Sequence, residues 1–149
     1  MTVISQQVLS PEAIQLYQQG LLQHHKAPFG FELEFDATHQ AEGVNPACGD
    51  EIVVKAKVIS GIITEVAFFG DSCAICRASA SMMCQHLVNQ KVGQVEPVIE
   101  SVIETLGASN QDVPQFSEAL YPLIAVRKFP VRKQCAILPW RTFAVALTN

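Results

Sequence analysis

Residues 51–69 restrict the fold more than any other stretch of this chain. Residues 51–59 alternate, with Ile52, Val54, Ala56 and Val58 on one face. Ser60-Gly61 is a two-residue break of the kind that closes a hairpin. Residues 62–69 are then a return strand rich in β-branched and aromatic side chains. An antiparallel pair with one apolar face needs a second layer to cover that face.

The rest of the chain reads mainly as helix. Ser10-Pro11-Glu12-Ala13 is a helix start, with serine as N-cap and proline at the first helical position, and the helix runs over residues 11–25. Its apolar side is Ile14, Tyr17 and Leu21. Within the mixed region 29–44, Phe31-Glu32-Leu33-Glu34-Phe35 alternates and predicts a short edge strand. After Gly70, Asp71 or Ser72 caps a helix reaching Asn89, with Cys73 in its first turn. Further helices are expected over residues 97–106, with Pro97 in the first turn, and over 115–120, ended by Pro122. A polar linker at 109–114 separates these two, and a last helix over 131–147 is kinked or restarted by Pro139. Helix, antiparallel strands and then several helices make an α+β fold.

At 149 residues the chain is expected to be one domain, residues 1–149, and its 49% apolar content is enough for a sizeable core. A net charge of −4 and the lack of a basic stripe interleaved with aromatics argue against a nucleic-acid partner. No apolar run is long enough to span a membrane, and residues 1–7 show neither the basic nor the apolar region of a signal peptide. The five cysteines do not form the regular framework of a small secreted domain. A reducing cytoplasm is the expected setting, where thiols more often serve metals or catalysis than disulfides.

Three cysteine segments carry the chemistry. In Asn45-Pro46-Ala47-Cys48-Gly49-Asp50, Pro46 stiffens the approach, Gly49 allows a tight turn and Asp50 opens the next strand with its carboxylate near the thiol. In Gly70-Asp71-Ser72-Cys73, the cysteine sits where a strand passes into a helix, and exposed N–H groups favour a thiolate there. Arg132-Lys133-Gln134-Cys135 places the third cysteine in the first turns of the last helix. Three thiolates and one carboxylate could converge on one metal, a donor set suited to tetrahedral zinc or an iron–sulfur centre. Taken singly, each has a plainer reading: Cys48 in an ordinary turn, Cys135 on an apolar face with Ile137 and Leu138. Cys73-Ala74-Ile75-Cys76 also permits a thioredoxin-like dithiol, although the preceding strands form a hairpin rather than a βαβ unit. Cys84, among Met82, Met83 and Leu87, reads as a core thiol. Half of the ten Lys and Arg residues (Arg127, Lys128, Arg132, Lys133 and Arg141) flank Cys135, a cluster that favours a thiolate or an acidic partner, or else forms a solvated face. No histidine pair has ligand spacing, and no phosphate loop or G-x-S-x-G elbow is present.

Together these segments resemble the U-type iron–sulfur cluster assembly family, comprising IscU, SufU and the N-terminal domain of NifU. The resemblance runs from His24-His25-Lys26-Ala27-Pro28, a variant of the family's His-Tyr-x-x-Pro, through the Cys48 segment. It continues through Gly70-Asp71-Ser72-Cys73-Ala74-Ile75-Cys76-Arg77-Ala78-Ser79-Ala80-Ser81-Met82-Met83 to Phe129-Pro130-Val131-Arg132-Lys133-Gln134-Cys135-Ala136-Ile137-Leu138-Pro139-Trp140. The long step from Cys73 to Cys135, with Arg132 and Trp140, is most similar to the SufU branch. The resemblance implies a small antiparallel sheet of about three strands with helices on one face. It implies Cys48, Asp50, Cys73 and Cys135 as metal ligands, and Cys135 or Cys48 as sulfur acceptor. It implies zinc or a transient iron–sulfur cluster at the site, with a cysteine desulfurase and cluster-receiving apoproteins as partners. The chain departs from the family twice: Gln134 replaces a histidine or lysine, and Cys76 replaces a serine.

The leading expectation is therefore a scaffold or zinc-bound persulfide acceptor in cluster biogenesis rather than an enzyme in the turnover sense. Two alternatives stand beside it. A thiol–disulfide oxidoreductase would need Cys73 and Cys76 but not Cys48 or Cys135. A structural zinc module would have a closed, unreactive site.

Overall fold

The computed structural model describes residues 9–108 and 114–148. Helix α1, Pro11–Lys26, starts at Ser10, whose hydroxyl accepts the Ala13 N–H at 3.1 Å. It buries Ile14 and Leu21, and Tyr17 meets Tyr121 edge-on with ring centroids 6.1 Å apart. Strands β1 (His39–Asn45), β2 (Asp50–Ile59) and β3 (Ile62–Phe69) form one antiparallel sheet in the order β1-β2-β3. The β2–β3 turn is the expected one: Ser60 (φ 52°) and Gly61 (φ 78°) both lie in the left-handed region.

Alternation along β2 decides which face is covered. Ile52, Val54 and Ala56 are buried, while the alternate residues Val53, Lys55 and Lys57 stay partly exposed. Helices α2 (Ala74–Leu87) and α4 (Lys133–Thr148) pack on the buried side, α4 against β1 and β2 and α2 against β3. Between them, Trp140 Nε1 donates to Ser79 Oγ at 2.9 Å, and Ser79 Oγ–H donates to the Ala136 carbonyl at 2.6 Å, all of it buried. Helix α3 (Val92–Gly107) contributes Val95, Ile99, Val102 and Leu106 to the same core.

Several boundaries differ from the expectation. Residues 31–35 form no strand. Phe31 makes an isolated bridge to Phe68, with its ring 5.1 Å from the Phe68 ring and stacked by Arg77. Positive φ at Gly30 (78°) and Glu32 (58°) bends the backbone on both sides of it, so the first strand forms later, at His39. Helix α3 begins at Val92, ahead of Pro97 by more than a turn, and burial of its apolar side outweighs the one helical bond that proline forfeits. Instead of a short α-helix ended by Pro122, residues Glu118–Lys128 form a 3-10 run through it. There the tighter winding buries the consecutive residues Leu123, Ile124, Ala125 and Val126. A second 3-10 turn, Pro130–Arg132, leads into α4, which continues through Pro139 to Thr148. Of the expected 109–114 linker, only Pro114 lies within the described residues. Among the described residues, no helix is long and apolar enough to cross a membrane.

Candidate metal centre

The site is assembled at one end of the sheet by three backbone devices. The first is the β1–β2 turn. Asn45 pairs with Asp50 across the ladder, the Cys48 N–H donates to the Asn45 carbonyl at 3.1 Å, and Gly49 takes φ 70°. The turn holds Cys48 half-exposed and sets Asp50 as the first residue of β2, with only 1% of its surface exposed.

The second device is the exit from β3. The Glu51 N–H donates to the Asp71 carbonyl at 3.0 Å, keeping the chain extended beside β2 after the last strand residue. Gly70 makes this possible: at φ 121° a Cβ there would press on the Glu51 carbonyl group and come within 3.1 Å of Ile52 Cα. The chain then delivers Cys73 to Asp50. Oδ1 of Asp50 accepts the Cys73 N–H at 2.7 Å, and Oδ2 lies 3.8 Å from Cys73 Sγ. Neither Asp71 nor Ser72 caps α2. Cys73 is itself the N-cap, its Sγ accepting the Cys76 N–H at 3.4 Å, because Asp71 is already paired with β2.

The third device is the start of α4, which brings in Cys135. Its Sγ lies 2.9 Å from Cys48 Sγ and 3.7 Å from the amide nitrogen of Asn45. The ligand atoms of Cys48, Asp50 and Cys135 all lie within 4.8 Å of one another. Cys73 joins this trio through Asp50. Soft thiols with a single carboxylate at these separations fit a tetrahedral zinc, and equally the corner of an iron–sulfur cluster. Cys135 has no exposed surface. Burial, then hydrogen bonds with Cys48 and Asp50, push its thiol up from the usual range, which couples cation binding to proton release. The exposed Arg132 guanidinium is pushed up first by Cys73 and then by a hydrogen bond with Cys135, so it stands ready to balance thiolate charge.

The two remaining thiols are core residues. Cys76 and Cys84 are fully buried, and burial is the first cause of the upward shift of each. For Cys76 the negative charge of Asp50 comes next. The basic cluster is smaller than the sequence implied. Arg127 is buried, with Nε donating to the Thr105 carbonyl at 2.9 Å, and Lys133 is half-buried with Nζ 3.4 Å from the Ala108 carbonyl. Lys128, Arg132 and Arg141 remain exposed. Sequence reasoning missed Asn45 as a sulfur-facing donor; its place opposite Asp50 at the mouth of the turn is the register signal that would have found it. Beside Cys73, Leu21, Leu22, Ala74, Ile75, Val126 and Phe129 line an apolar groove of about 280 Å³.

The family model described as NifU-like N terminal domain matches residues 16–136. The iron–sulfur cluster assembly scaffold protein IscU of Thermotoga maritima is 33% identical over 112 residues, covering 75% of this chain and 78% of that protein. The zinc-dependent sulfurtransferase SufU of Bacillus subtilis is 29% identical over 126 residues, covering 85% of each. A crystal structure of a candidate cluster assembly scaffold for the SUF system from Fervidobacterium islandicum AW-1 superposes with a TM-score of 0.73 at 25% identity, covering 89% of this chain and 97% of that one. This chain belongs to the family of NifU-like N-terminal domains.

Proposed function

We propose that this chain serves iron–sulfur cluster biogenesis, as a cluster scaffold or as a zinc-bound acceptor of persulfide sulfur from a cysteine desulfurase. The observation that carries this reading is the convergence of Cys48, Asp50 and Cys135 within 4.8 Å, with Cys73 held on Asp50. These four residues are the ligands, and the relatives named for cluster assembly and for zinc-dependent sulfur transfer support both forms of the role. Bound zinc would keep the thiols as thiolates at neutral pH.

The rest of the work falls to the chain itself. Half-exposed Cys48 and its neighbour Cys135 are the sulfur acceptors: a thiolate attacks the outer sulfur of an incoming persulfide, and the desulfurase cysteine departs as thiolate. Asp50 is the hardest donor of the set, so with a metal bound it would be the ligand most readily given up during exchange. Arg132 faces the charge that builds up on the sulfurs. Cluster-receiving apoproteins complete the partner set, the whole chain works as one U-type domain, and a reducing cytoplasm suits its free thiols.

The test is metal analysis and sulfur transfer on anaerobically purified protein. Replacing Cys48, Cys73 or Cys135 by serine should abolish stoichiometric zinc or iron, and labelled sulfur from cysteine and a desulfurase should appear on Cys48 or Cys135. Full metal retention by the Cys73 and Cys135 variants would remove the site. Absence of transfer to any cysteine would remove the acceptor role.

A further inference from the structure

Helix α2 carries a thiol that the metal centre leaves over. Cys76 is the third residue of α2, and Cys73 is the N-cap of the same helix. The Cys76 N–H points at Cys73 Sγ, 3.4 Å away. The Cys76 side chain is fully buried beneath the site, within electrostatic reach of Asp50, Cys73 and Cys48 and hydrogen-bonded by Ser72. A cysteine at the N-cap and another at the third helical position lie on the same side of the first turn, a span that a disulfide closes in dithiol redox helices. Cys84 lies farther along α2 and shares none of these neighbours.

We infer that Cys76 is a resolving thiol that releases sulfide from sulfane sulfur carried on Cys73. The inference rests on the sulfur-acceptor reading above: sulfane sulfur received on Cys135 passes to the Cys73 thiolate beside it, which attacks the outer sulfur and frees Cys135 as thiolate. In the step, Cys76 sulfur attacks Cys73 Sγ of the persulfide, and the bond between Sγ and the outer sulfur breaks. The outer sulfur leaves with that electron pair and takes the Cys76 proton, departing as hydrogen sulfide, while Cys73 and Cys76 are joined as a disulfide. The outer sulfur is reduced to sulfide, the Cys76 sulfur is oxidised from the thiol to the disulfide level, Cys73 Sγ stays at the disulfide level, and a dithiol reductant resets the pair. Cys73 Sγ faces Asp50, so the sulfide is set free beside the residues that would hold iron. Cysteine at this position, where the family carries serine, thereby gives the chain its own source of electrons for sulfur reduction.

The experiment loads the full-length protein with sodium tetrasulfide, removes the excess anaerobically, and follows sulfide release and cysteine state by peptide mass spectrometry. Wild type is expected to release sulfide and to accumulate the Cys73–Cys76 disulfide. Cys76→Ser should keep its Cys73 persulfide and release sulfide about tenfold more slowly, whereas Cys84→Ser should match wild type. Equal release by Cys76→Ser, no persulfide on Cys73, or a Cys48–Cys135 disulfide in place of the Cys73–Cys76 one would each overturn the inference. If Cys76→Ser does not fold, the wild-type disulfide map decides alone. Tetrasulfide loading bypasses any desulfurase, so failure of the transfer test above strikes the proposed function and failure here strikes only Cys76.

Discussion

Asp50 grips Cys73 at two points: one carboxylate oxygen accepts the backbone N–H at 2.7 Å and the other faces the thiol sulfur at 3.8 Å. One side chain therefore ties the β1–β2 turn to the start of α2 and stands among the candidate ligands. The two roles can be separated. Asp50→Asn keeps an oxygen for the Cys73 N–H but loses the charge, whereas Asp50→Ala loses both. Zinc affinity, measured by chelator competition, should fall about tenfold or more in each variant. Only Asp50→Ala should also lose stability, by about 1–3 kcal/mol in urea unfolding of the metal-free protein. Equal stability of the two variants would show that the N–H bond contributes little.

The Ser79 hydroxyl links two helices, accepting from Trp140 Nε1 and donating to the Ala136 carbonyl in a site with no access to water. Ser79→Ala leaves the indole N–H without an acceptor, a loss worth about 1–3 kcal/mol. The lowered unfolding midpoint should come with near-normal zinc stoichiometry, because the hydrogen bonds of Ser79 go to Trp140 and Ala136 and not to a candidate ligand. Metal loss in a folded Ser79→Ala protein would mean that the α2–α4 contact positions Cys135.

Much of this arrangement was legible because burial is written directly into side-chain alternation. Residues 62–69 and the Ser60-Gly61 turn are found as expected, since β-branched and aromatic residues there have no competing use. The same pattern misled at Phe31 and Phe35. The two residues mimic a strand, yet what orders Phe31 is its ring against Phe68 and Arg77, a long-range packing choice that local alternation does not encode. The sequence puts Cys73 in the first turn of α2, but as N-cap it takes the role expected of Asp71 or Ser72, because β2 claims the Asp71 carbonyl first. The four candidate ligands were readable one motif at a time. The hand-off from Asn45 to Cys135 was not, because it depends on the β1–β2 register and on where α4 docks.

His24 and His86 line a small cavity of about 110 Å³ with Met82, Gln85, Ala119 and Leu120, and His24 Nδ1 lies 2.7 Å from Ser81 Oγ. Burial lowers the pKa of both rings. In the unfolded chain both take up a proton near pH 6.5, before they do so in the folded state. Below that pH the unfolded state binds more protons, so stability falls as the solution is acidified and is fully present above it. The urea midpoint should therefore drop between about pH 7.5 and 5.5, and NMR titration should place His24 below its unfolded value. A His24 that titrates above it would contradict the burial argument.

A desulfurase approaching Cys135 would meet fewer free basic side chains than the sequence offers. Of the basic residues around Cys135, Arg127 is buried and Lys133 is bound to the Ala108 carbonyl, which leaves Lys128 and Arg132 exposed on the approach from Phe129. Arg132 also bonds Cys135, so changing it would disturb the site itself. Lys128 is the cleaner probe. Among the described residues its ammonium pairs with no candidate ligand, yet it borders Phe129, which is 50% exposed at the rim of the apolar groove beside Cys73. Lys128→Glu should slow sulfur uptake from a desulfurase about two- to tenfold at low salt, mainly through a slower association rate. The difference should shrink as salt approaches 0.1 M and beyond, where exposed charges are screened over about 10 Å. Zinc content and unfolding midpoint should match wild type. Uptake that ignores both the substitution and salt would leave Cys48 and Cys135 as acceptors but move the docking surface away from this face.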